Sequence, residues 1–111
     1  MRIVSLDIEP GRASQASADF VIRVNLDGPA AGCAVAGRVV GPRREGVSTV
    51  EVAYPLVEVA RSDTAVSLKC VIPEPSLWTP EAPFLYAWSI DVEVDGEQTD
   101  SRAGAVSLRG Q

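Results

Sequence analysis

Apolar and polar residues alternate with a period of two along most of this chain. Val4, Leu6 and Ile8 share one parity, and Phe20, Ile22, Val24 and Leu26 repeat the pattern around Arg23 and Asn25. Each run predicts a half-buried strand, because successive side chains of a strand point to opposite faces. Cys33 and Val35 lead into a strand ending near Val40, and the stretch from Val50 and Val52 through Val59 supplies one or two more. Val66, Leu68, Cys70 and Ile72 alternate with Ser67 and Lys69, while Trp88, Ile90, Val92 and Val94 point one way and Ser89, Asp91 and Glu93 the other. A final strand runs from about Gln98 to Leu108, interrupted by Gly104 and small residues. Turn signals separate the runs at Pro10-Gly11, Asp27-Gly28-Pro29, Gly41-Pro42, Glu45-Gly46, Arg61-Ser62-Asp63 and Asp95-Gly96, the last a tight hairpin. No window supports a three-turn helix, and there is no internal repeat or low-complexity linker. The expected fold is all-β, an immunoglobulin-like antiparallel β-sandwich of about seven strands.

Residues 77 to 86 read Leu-Trp-Thr-Pro-Glu-Ala-Pro-Phe-Leu-Tyr. Pro80 and Pro83 fix φ and bias their neighbours towards extended backbone, so this segment should run as a stiff crossover from one sheet to the other. Trp78 is expected to be largely buried at one end of the sandwich. Tyr86 opens the following strand, where its hydroxyl can hydrogen-bond back to the chain.

The same ten residues closely resemble the Leu-Trp-x-Pro-x-x-Pro-x-Leu-Tyr signature of the immunoglobulin-like sandwich domain of glycoside hydrolase family 2, the β-galactosidase, β-mannosidase and β-glucuronidase relatives. Every fixed position of the pattern is present. The match is strongest over residues 77 to 100, where the crossover is followed by an alternating strand, Asp95-Gly96 and then Asp100 ahead of the last strand. Upstream, only strand pattern and length agree. The family sandwich usually ends in an apolar-Gly-apolar-Arg step, and here Ala103-Gly104-Ala105 is followed by Val106.

The resemblance implies that residues 1–111 are one sandwich domain, excised or truncated from a larger retaining β-glycosidase. Its partners would be neighbouring domains of the parent chain, an N-terminal sugar-binding-type domain and a C-terminal barrel. The family's acid/base and nucleophile glutamates lie on that barrel, so none is carried over. Leu108-Arg109-Gly110-Gln111 resembles the lead-in to the barrel, and in isolation it should be mobile or held only by another copy of the chain.

Composition sharpens this picture. At 111 residues, the chain can bury one core but cannot hold a catalytic barrel of roughly 250 residues as well. Fifteen acids stand against ten bases, and Lys69 is the only lysine, so no basic surface exists to release counterions and nucleic acid is not an expected partner. Nor is a membrane, since no run approaches the roughly 20 apolar residues of a spanning helix. Met1 to Ser5 enters a strand, not a signal-peptide apolar block, so any export signal is absent or lies outside this chain.

Histidine is absent, which removes the commonest general base and zinc ligand. Asp91, Glu93 and Asp95 are the most evident acidic cluster, but their spacing makes them an outward, solvated stripe. No cofactor is expected, and no residue is assigned a catalytic, cofactor-binding or metal role. Cys33 and Cys70 fall on inward faces, where free buried thiols are expected and a bridge across the sandwich is the alternative. Trp78 and Trp88 could stack on a sugar, but core packing is favoured for both. The Arg43-Arg44 pair reads as a charged loop tip.

The expected role is a non-catalytic structural spacer, with an independent glycan- or protein-binding module as the alternative. Catalysis by the chain itself is disfavoured, for want of histidine and of a convergent polar site.

Overall fold

The computed structural model describes residues 1–109, so Gly110 and Gln111 of the expected lead-in lie outside the described residues. Seven strands carry the alternation into three dimensions: β1 (Ile3–Ala13), β2 (Ser17–Leu26), β3 (Cys33–Arg43), β4 (Val52–Arg61), β5 (Ala65–Pro73), β6 (Leu85–Val94) and β7 (Glu97–Val106). Their order is β1-β2-β5-β4-β3-β6-β7, and every pairing is antiparallel.

β4 divides this curled sheet into two layers. Its first half, from Val52 to Leu56, pairs with β3, and its second half, from Val57 to Arg61, pairs with β5. One layer is therefore β1-β2-β5 with the end of β4, and the other is β3-β6-β7 with its beginning. This is the expected immunoglobulin-like sandwich, and the stretch through Val59 makes one strand rather than two.

The core lies between the layers and comes from the strands flanked on both sides. Phe20, Ile22 and Val24 of β2 and Leu68, Cys70 and Ile72 of β5 meet Val39 of β3 and Tyr86, Ile90 and Val92 of β6, all essentially buried. Each such burial contributes roughly 1.5–3 kcal/mol for a large aliphatic or aromatic side chain, which explains why the strictest alternation falls on these strands. β1, β4 and β7 border the layers and are mostly exposed.

Several expectations are corrected. Val4 does not share a face with Leu6 and Ile8: Ile3 pairs with Leu26 and Leu6 with Val24, a one-residue register shift. The bulge turns Ile3 inward and leaves Val4 62% exposed. Pro10-Gly11 and Gly41-Pro42 are not turns between strands but parts of β1 and β3, and each sits at a register shift. An edge strand and a bulge both tolerate proline's missing N–H. The first hairpin instead turns at Ser14, whose N–H donates to the Ser17 carbonyl at 2.9 Å. Asp100 lies within β7, as the strand expected from about Gln98 has it, and not ahead of that strand. Asp95 and Gly96 do form the predicted hairpin, with φ of 54° and 79°, the left-handed pair that a two-residue turn requires.

The crossover from β5 to β6 passes between layers as expected. Tyr86 is 1% exposed, and its hydroxyl accepts a hydrogen bond from the Ser76 N–H at 2.9 Å.

Candidate interdomain surface

An odd number of antiparallel strands brings the chain in at one end and out at the other. β1 begins beside the 27–32 loop and the Asp95-Gly96 hairpin, and β7 finishes beside the first hairpin turn, the 44–51 loop and the proline-rich crossover. The molecule measures 43 × 26 × 19 Å, and strands of nine to eleven residues account for most of the long dimension.

The exit end exposes a few apolar side chains among charged ones and is internally tied. Val47, Val50 and Leu85 are exposed there, Val50 at 88%; Val50 precedes β4, outside the strand predicted to hold it. The arginine pair is more than a charged tip. Arg43 pairs with Glu51 across the loop, while Arg44 donates through Nη2 to the Glu81 carbonyl at 2.9 Å and lies 5.9 Å from the Phe84 ring centroid. Arg43 thus closes the 44–51 loop on itself, and Arg44 fastens the loop to the crossover.

Two further expectations change at this end. Trp78 is partly buried but, against the expectation of core packing, does not join the core cluster. Leu108, expected to make no fixed contact within the chain, is 5% exposed and joins the core. The Trp78 N–H donates to the Leu108 carbonyl at 2.7 Å, so Leu108 and Leu77 close the core and leave the indole at the surface. Arg109 stacks on that ring, 3.9 Å from its centroid, a cation–π contact that takes up one indole face. Sequence reasoning missed this pairing because nothing in the local pattern links residues 31 positions apart. Trp88, in contrast, is 8% exposed, as its strand parity predicted.

Between β1 and β7 near the exit end lies a groove of about 340 Å³, lined by Ile8, Pro10, Phe20, Val106 and Leu108 and edged by Arg12 and Asp19. The Arg12 N–H donates to Asp19 Oδ1 at 3.3 Å, so this carboxylate is partly engaged by backbone. The Asp91, Glu93 and Asp95 stripe is exposed and faces away from the core. Two carboxyls are held below their ordinary values by neighbouring donors: Glu58 chiefly by its hydrogen bond with Arg61, and Asp100 chiefly by the Ile3 amide. Both causes are structural pairings within the fold, one along β4 and one between β1 and β7.

The two thiols are free and buried. Cys33 Sγ donates to the Pro29 carbonyl at 3.6 Å, while burial pushes the Cys70 thiol up to about 11. A thiol-disulfide reagent at pH 8 should therefore modify neither cysteine in the native domain and both after denaturation. Rapid native labelling of Cys70 would show that the β2–β5 layer opens readily.

With this geometry in place, comparison adds a lineage. The model of glycosyl hydrolases family 2 matches residues 1–109. Similar solved structures include a Bifidobacterium dentium β-glucuronidase complexed with coumarin-3-O-glucuronide, with 19% identity, a TM-score of 0.66 and coverage of 96% of this chain and 17% of that one. Another is Bacteroides uniformis β-glucuronidase 2, covalently bound to cyclophellitol-6-carboxylate aziridine, with 23% identity, a TM-score of 0.55 and coverage of 93% and 13%. The likeness is one of fold, and this chain spans less than a fifth of either protein's length. No curated protein matches the sequence.

Proposed function

Since this chain belongs to glycosyl hydrolases family 2, we propose that it is a non-catalytic spacer domain of a larger retaining β-glycosidase. In this reading it stands between an N-terminal sugar-binding-type domain and a C-terminal barrel that carries the two working carboxylates. The observation that carries the reading is the strand count: seven antiparallel strands separate chain entry from chain exit along the 43 Å axis. A rigid body so threaded sets the spacing of whatever flanks it. The exposed Val47 and Val50 at the exit end support the same reading, because a valine as exposed as Val50 gains by being covered.

Glycoside hydrolysis needs two carboxyl groups facing each other across a sugar ring, about 5–5.5 Å apart in a retaining enzyme. Asp91 and Glu93 instead alternate with buried Ile90 and Val92 on the solvent side of β6. The isolated chain should therefore give no turnover of aryl β-glycosides. Turnover that survives purification and disappears in Glu93→Gln would overturn the spacer reading.

The groove beside β1 and β7 favours a second reading, an independent glycan- or protein-binding module. Saturable shifts of Phe20 and Leu108 resonances on titration with a β-glucuronide would support that module over the spacer.

A further inference from the structure

Among the described residues no backbone pairing joins β1 to β7, so the curled sheet has a seam between its first and last strands. Among the described residues, two side chains of β7 bond across it. Asp100 Oδ2 accepts from the Ile3 N–H at 2.8 Å, and Arg102 Nη2 donates to the Ile3 carbonyl at 2.8 Å. Both backbone groups of one β1 residue are thus satisfied by side chains, where a neighbouring strand would ordinarily use its own N–H and C=O.

The clamp is itself braced. The Ser101 N–H holds Asp100 Oδ1 at 2.8 Å, and Arg102 Nη2 lies 3.9 Å from Asp100 Oδ2. On the other side of the chain, the Arg2 N–H donates to Asp27 Oδ1 and the Asp27 N–H to the Arg2 carbonyl, both at 3.0 Å. Directly after the clamp comes the Val4 bulge, where β1 changes register.

We propose that Asp100 and Arg102 form a latch that closes the β1–β7 seam at the entry end, and that its release opens the Ile3 backbone groups to solvent while Arg2 stays tied to Asp27. The latch couples the direction in which the chain enters to the strand by which it leaves. Its use in orienting an upstream domain rests on the spacer reading; the latch itself does not.

The grip depends on the Asp100 carboxylate. The Ile3 amide is the main cause of its lowered proton affinity, with the Ser101 amide, Arg102 and Arg2 assisting. Because the folded-state value is depressed, this contribution is present above the ordinary carboxylate range and is lost as pH falls through the lowered value.

Residue-resolved amide exchange on the whole chain tests the latch. In Asp100→Ala the Ile3 amide should exchange about tenfold faster, the loss expected for a hydrogen bond to a charged group, while the Ile22 and Leu68 amides keep their rates. Asp100→Asn retains an acceptor oxygen and should recover part of the protection. If Asp100→Ala does not fold, Arg102→Ala reports on the other half of the clamp, and Ile3 should again be released selectively. Unchanged Ile3 exchange, or an equal rise at all three amides, would overturn the latch. Neither result bears on the aryl-glycoside assay, so the latch and the spacer reading can fail separately.

Discussion

Tyr86→Ala is expected to lower stability by about 3–5 kcal/mol, the range for truncating a fully buried aromatic side chain. Domains of this size hold roughly 5–15 kcal/mol in total, so the variant should stand close to unfolding at room temperature. Three contacts give Tyr86 this weight. Its ring meets Tyr54 edge-on, with centroids 6.5 Å apart. It also lies against Gly41 so closely that a Cβ there would be 2.6 Å from Tyr86 Cδ1. Its hydroxyl holds the Ser76 N–H at the start of the crossover. Tyr86→Phe separates the last contribution from the first two and should cost about 1–2 kcal/mol, because the ring stays and one hydrogen bond is lost. Urea midpoints converted with a common slope measure both variants. A Phe variant as damaged as the Ala variant would mean that the hydroxyl, not the packing, dominates.

Gly104 and Trp88 should show the second large effect, and a strongly non-additive one. They are cross-strand partners on β7 and β6, and a Cβ on Gly104 would fall 2.6 Å from Trp88 Cζ2. The indole occupies the space that a side chain on β7 would fill. Trp88→Ala should cost about 3–5 kcal/mol through the cavity left behind. Gly104→Val should cost about 1–3 kcal/mol through overpacking. In the double variant the valine meets the cavity, so the total should fall below the sum by about 1 kcal/mol or more. Additive losses would show that the indole and Gly104 do not compete for the same space. The buried Trp88 Nε1–H has no hydrogen-bond partner among the described residues, so Trp88→Phe should cost less than its loss of volume suggests.

The parts of this fold legible in the sequence are those governed by neighbours along the chain. Period-two burial on β2, β5 and β6 follows from the alternation of each strand's side chains, and the Asp95-Gly96 hairpin follows from the left-handed backbone that those residues tolerate. The crossover signature was read correctly in its prolines and in Tyr86, whose effects are local. The expectation of core packing fails for Trp78, because whether that indole or Leu108 closes the end of the core depends on where the chain returns 30 residues later. Pro10-Gly11 and Gly41-Pro42 misled for a related reason. The same residue types serve turns and bulges, and only the partner strand decides which.

Of the candidate surface, the exposed carboxylates of β6 were readable from parity, whereas the seam was not. Ile3 and Asp100 are 97 residues apart, and nothing in either local pattern says that the first and last strands meet. By itself the sequence determined an all-β chain, the buried faces of β2, β5 and β6, its family signature and the lack of histidine chemistry. Tertiary structure alone decided that β4 belongs to both layers, that Arg109 stacks on Trp78, and that Asp100 and Arg102 grip Ile3. The physical reason is that strand propensity and turn chemistry act over a few residues, whereas sheet order, closure and end-sealing are set by the twist of the whole sheet and by competition among distant side chains for the same buried space.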